Sequence, residues 1–159
     1  MIKPLAIAAL SMASGLALGA DPPPVPYPAG YRDWTHVKSM LINPGHALYE
    51  AFGGIHHLYA NPKALQGYQA GKFADGSVIV FDLLEAKAAD NTVQEGARKV
   101  LGVMRKDAKR YAATGGWGFE GFKGDSTTER AVGNNAASAC FQCHAPQKSQ
   151  DFVFSSFRR

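Results

Sequence analysis

The sequence predicts an α+β fold: a mostly antiparallel β-sheet with a few short helices, the last of them near the C-terminus. Three observations lead there. Short runs rich in β-branched and aromatic residues recur along the chain, with Val78-Ile79-Val80-Phe81 the most strand-like. Turn signals separate them at Asn43-Pro44-Gly45, Asn61-Pro62 and Asp75-Gly76. Residues 115–122 alternate glycine with aromatics, which is hostile to a helix.

The elements follow in order. Residues 1–20 read as a signal peptide. Lys3 supplies the positive start, Pro4 to Leu18 the apolar stretch, and Ala17, Gly19 and Ala20 the small residues of a cleavage site. The alternative, a membrane anchor, needs about 20 apolar residues, and this stretch is shorter. The mature chain is therefore expected to be exported, periplasmic or otherwise outside the cytoplasm, with no membrane attachment after cleavage. Residues 21–30 carry prolines at 22, 23, 24, 26 and 28 and form a stiff extended arm. Residues 31–159 form a single domain.

Within it, residues 34–42 and 54–60 are strands. Pro62 opens a helix to Ala70, with Asn61 as its cap and Gly71 as its stop. Asp75-Gly76 is a hairpin-type turn into a strand over 77–85. Residues 86–95 read as a loop, 98–106 as a strand, and 115–122 as a strand packed closely against something flat. A helix over 134–144 and a final strand over 153–157 complete the chain.

Composition narrows the function. The 159 residues are 46% hydrophobic and 19% charged, ordinary for one globular core. The net charge of +4 is scattered, with no basic run interleaved with aromatics, so a nucleic-acid partner is not expected. Both cysteines lie in one short motif, so no disulfide framework holds the fold.

That motif is Cys140-Phe141-Gln142-Cys143-His144, the C-x-x-C-H pattern of covalent haem attachment. One helical turn puts residues three apart on one side, so both thiols can reach the two vinyl groups of one porphyrin. The next residue, His144, can then ligate the iron. Cys140, Cys143 and His144 are thus the candidate cofactor-binding residues, His144 the candidate metal ligand, and one covalently attached haem c the expected cofactor. This makes the C-terminal helix a haem-attachment helix. A Cys-x-x-Cys redox pair is the chief rival. It would follow a strand near the start of a βαβ unit, whereas this motif lies close to the C-terminus.

The sixth iron position decides the activity. The mature methionines, Met40 and Met104, sit in apolar runs and read as core. The other histidines are His36, His46, His56 and His57, and none stands out as a ligand. An open position lined by aromatics such as Phe52, Tyr59, Phe73, Phe81 or Trp117 follows. Glu120 is the candidate catalytic residue: on its strand it either accepts protons from a bound ligand or faces water. Arg98, Lys106 and Arg110 either reach the haem propionates or are solvated charges.

Four stretches resemble the cytochrome P-460 family. They are Tyr31-Arg32-Asp33-Trp34, Ile55-His56-His57-Leu58-Tyr59-Ala60-Asn61, Gly71-Lys72-Phe73-Ala74-Asp75-Gly76-Ser77-Val78, and Cys140 to His144 followed by Asp151-Phe152-Val153-Phe154. The resemblance implies a mostly antiparallel β fold with haem c at one end, often in a homodimer, and a five-coordinate iron on His144. Members of the family handle small nitrogen species. Some oxidise hydroxylamine with the help of a lysine cross-linked to the porphyrin. Others, without the link, bind nitric oxide or similar gases in an aromatic pocket. Where the cross-linking lysine is expected, this chain has Gly67-Tyr68-Gln69-Ala70, with Lys63 and Lys72 only flanking it. The expected partner is therefore a small gaseous or nitrogen-oxide ligand, with hydroxylamine or peroxide oxidation and electron transfer to a redox partner protein as the alternatives.

Overall fold

Five strands pair in the order in which the chain makes them, each antiparallel to the next. The computed structural model describes residues 24–158, so the signal-peptide reading lies outside the described residues. The elements are β1 (Thr35–Ile42), α1 (Tyr49–Phe52), β2 (Gly54–Ala60), α2 (Pro62–Ala70), β3 (Val78–Ala89), β4 (Thr92–Lys106), β5 (Trp117–Lys123) and α3 (Ala136–His144). A 3-10 segment, Ala145–Gln150, follows α3. No helix among the described residues is long and apolar enough to cross a membrane.

Local chemistry accounts for several boundaries. The Asn61 side chain accepts from Ala64 N, capping α2, while Pro62 needs no amide partner at the first helical position. Gly71 ends the helix at φ 73°, the left-handed region where a side chain is strained. The glycine alternation of β5 has a visible use at Gly118, where a Cβ would collide with the Tyr111 ring. Tyr111 is thus the flat object against which this strand packs.

Three expectations are corrected. Residues 86–95 are not a loop, because β3 runs on to Ala89 and β4 begins at Thr92, with Ala86 paired to Glu95 and Ala89 to Thr92. The turn is Asp90-Asn91, both at positive φ (51° and 58°), as a tight two-residue hairpin requires. Most of this extension is exposed on both sides, so it lacks the alternation that marks a strand. Asp75-Gly76 joins α2 to β3 and not strand to strand. Residues 153–157 form no strand; Val153 is buried in the front core without a strand partner.

Strand alternation gives the sheet two faces. Cross-strand register puts Ala60, Ile79, Met104 and Phe119 in one row on the front, with Leu58, Phe81, Gly102 and Gly121 in the next. Tyr59, Val80, Val103 and Glu120 form the corresponding row on the back. The back core gathers Val25, Tyr31, Val80, Leu101, Val103, Tyr111 and Phe122. Val25 comes from the proline-rich arm and is almost wholly buried, so the arm is packed on the sheet. Each large side chain fully buried here stabilises the fold by roughly 2–3 kcal/mol.

The back also buries charge. Asp82 accepts from Tyr31 Oη (2.6 Å), Arg98 Nε (2.6 Å) and Arg32 Nη2 (3.1 Å). Burial alone would raise its pKa, but the hydrogen bonds from Arg98 and Tyr31 outweigh that and hold it below the usual carboxylate range. Tyr31, buried beside that carboxylate, is pushed up to about 12.

Candidate functional site

Helix α3 lies against β5, on the front of the sheet. Its sequence, Ala-Ala-Ser-Ala-Cys-Phe-Gln-Cys-His, opens on good helix formers. Cys140 and Cys143 fall on one side of the helix, three residues apart. Cys140 is half-buried against the front core, whose centre is Phe73, Ile79, Trp117, Phe119 and Val153; Cys143 is exposed. Burial, with Cys143 nearby, pushes the Cys140 thiol up, so it stays protonated at neutral pH.

His144 ends the helix. Its ring packs 5.0 Å from Phe119 on one side and 5.0 Å from Phe154 on another. Nδ1 lies 2.8 Å from the Phe152 carbonyl oxygen. A carbonyl only accepts, so Nδ1 carries the proton and Nε2 keeps its lone pair. Burial lowers the His144 pKa, against the smaller opposing effect of the Phe152 hydrogen bond. The ring is therefore neutral at neutral pH, the state an iron ligand needs.

The front of the sheet continues away from α3 as an apolar surface that the chain leaves partly uncovered. Phe81 meets Phe52 edge-on at 5.7 Å, and His56 tilts over Phe81 at 4.5 Å. From Phe119 to Phe81 is about 12 Å at ordinary strand spacing and rise. Phe52 is 38% exposed, Met40 46% and Phe154 58%, high values for such large apolar groups. A neutral imidazole, two thiols one turn apart and a half-open aromatic face are the donor set and surroundings that fit a haem.

The structure brings together Cys140, Cys143, His144 and Phe119, and separately Phe52, Phe81 and His56. It does not bring Glu120 to them. Glu120 points to the back, is 4% exposed, and forms an ion pair with Arg130. Arg98 also faces the back, bound to Asp82. Arg110 is exposed beside Asp107 at 3.6 Å. Lys106 is on the front but buried, with Nζ 2.6 Å from Asp151 Oδ1. Tyr59 faces the back against Tyr31, while Phe73 and Trp117 are packed inside the front core. Met104 packs against that core as expected, but Met40 is exposed on the edge strand. His36 and His57 meet on Ser39, His46 sits in an exposed loop, and Lys63 donates to the Asp75 carbonyl.

Sequence reasoning gave no role to Asp151 and Phe152, which shape the turn that receives the His144 proton. Both are non-glycine residues at positive φ, 50° and 65°, and in Phe152 nothing in the side chain announces that conformation. The nearest signal is the aromatic spacing of Phe141, Phe152 and Phe154 around the motif.

A single antiparallel sheet that meets a Cys-x-x-Cys-His helix on one half-open apolar face defines a haem-binding β protein. The model of the Cytochrome P460 family matches residues 28–155, and the chain belongs to that family. It is a family of cytochromes, so its cofactor is haem with its iron. No curated protein matches the chain.

Proposed function

We propose that this chain is an exported monohaem c-type cytochrome that binds small ligands such as nitric oxide at a five-coordinate iron. Cys140 and Cys143 form the thioether links and His144 is the proximal ligand. The observation that carries the reading is the His144 ring, fixed by the Phe152 carbonyl so that Nε2 alone is free to ligate. Bound haem supplies an iron with one position open to a small ligand.

The chain's own residues do the rest. Phe119 and Phe154 hold the His144 ring from two sides. Phe52 and Phe81 supply an apolar, water-excluding surface on the same face of the sheet. Met40 lies at the exposed edge and Met104 within the core, which favours an open sixth position over a six-coordinate electron carrier. Lys63 is turned to Asp75, and Glu120 is held by Arg130 on the other face, which favours binding over oxidative turnover. Export, a redox partner protein and a homodimer belong to the same proposal.

Absorption spectra of the ferric and reduced protein, with a pyridine haemochrome assay, test this. A haem c haemochrome with a high-spin ferric spectrum is expected. A low-spin six-coordinate spectrum would turn the reading to electron transfer. His144→Ala should keep the thioethers and lose the proximal bond; an unchanged ferrous spectrum would sink the ligand assignment.

A further inference from the structure

The turn after α3 is held from the sheet by one buried cation. Lys106, near the end of β4, is 7% exposed. Its Nζ donates to Asp151 Oδ1 at 2.6 Å and to the Gly115 carbonyl at 3.1 Å, and lies 5.0 Å above the Trp117 ring. The other Asp151 oxygen, Oδ2, accepts from Phe73 N at 2.9 Å, and its backbone carbonyl accepts from Trp117 Nε1 at 2.8 Å. Asp151 is thus fixed through both carboxylate oxygens and its carbonyl. The next carbonyl along the chain, that of Phe152, is the acceptor for His144 Nδ1.

Two neighbouring non-glycine residues at positive φ are strained, the phenylalanine more than the aspartate, and persist only where the surroundings over-determine them. The Lys106 and Trp117 contacts are those surroundings. From this placement we infer that Lys106 and Asp151 are positioning residues for the proximal ligand, holding the Phe152 carbonyl where it accepts the His144 proton and so setting how strongly Nε2 donates to the iron. The inference rests on the haem reading above and deepens it. A histidine that gives its second N–H to a fixed acceptor is the more basic ligand. Relaxing the turn lengthens that hydrogen bond and weakens Nε2 as a donor.

The test uses the ferrous holoprotein and resonance Raman detection of the iron–histidine stretch, with the ferric/ferrous reduction potential as a second readout. Lys106→Met is expected to lower the stretching frequency and raise the potential. Asp151→Asn keeps an oxygen for Phe73 N but loses the charge, and should shift both readouts the same way by less. Lys106→Arg should recover most of the wild-type frequency. Glu120→Gln disturbs a buried ion pair of similar kind on the back of the sheet and should leave both readouts unmoved. If Lys106→Met does not fold, Asp151→Asn decides alone. An unchanged frequency in the haem-loaded variants, or an equal shift in Glu120→Gln, overturns the inference while leaving the haem reading intact. A wild-type protein without a haem c haemochrome overturns both.

Discussion

On the back of the sheet, Asp82, Glu120, Arg98 and Arg130 are carried wholly or largely below the surface, and each charge meets its opposite there. On the front, Phe52, Met40 and Phe154 are apolar and left at the surface. Each face runs against the usual expectation for its residues, for different reasons. A buried charge is tolerated only with its partners in place, so the back is completed by the polypeptide itself, down to Val25 of the proline-rich arm. An exposed apolar surface on the face that also carries a neutral, oriented imidazole is incomplete as protein, and it has the character expected where a flat apolar cofactor lies.

The contrast can be broken first at Asp82. Asp82→Ala leaves the mostly buried Arg98 without its main partner and should cost about 3–5 kcal/mol in urea denaturation. A loss below about 1 kcal/mol would mean the back is held by its apolar packing and the ion network adds little. A smaller effect tests the front. His56 is 5% exposed, and burial, with the neighbouring His57, lowers its pKa from 6.5 to about 4. Above pH 6.5 both folded and unfolded chains hold it neutral, and the stability it permits is fully present. Between pH 6.5 and 4 only the unfolded chain takes up the proton, so stability falls with pH by about 3 kcal/mol in all. Wild type and His56→Leu compared by denaturation at pH 7 and pH 4 isolate this contribution; parallel losses in the two would place His56 in contact with water. The smallest effect belongs to neither face. Arg110→Ala removes an exposed pair with Asp107 and should change stability by less than about 0.5 kcal/mol, which calibrates the other two.

Much of this arrangement was legible because its signals are local. Asn61-Pro62 and Gly71 mark α2 through capping chemistry that acts within four residues. The Cys140 to His144 motif carries its own spacing. The Val78 to Phe81 run is a strand on propensity alone. What stayed hidden depends on distant partners. Glu120 is placed by the parity of β5 against β4, and its meeting with Arg130 under the arm lies outside any local pattern. Tyr31 and Asp82 meet across 51 residues. The extension of β3 and β4 past Glu85 is not legible because exposed strands lose the alternation by which strands are read, and Asp90-Asn91 is the local turn signal within it. Asp151, in the turn after α3, is bound by Lys106 and Trp117, both far away in sequence.

The strand order has a consequence for how the chain reaches this state. Every strand pairs with its neighbour in sequence, directly by a tight turn between β3 and β4 and across short helical connections elsewhere, so no strand waits for a distant one. Such near-neighbour pairing lowers the loop entropy lost at each step. Among the described residues, the arm reaches across to the back and the α3 tail to the front. The meander is therefore the part able to organise early, and Lys106 and Trp117, both within it, present a ready dock to the last segment of the chain.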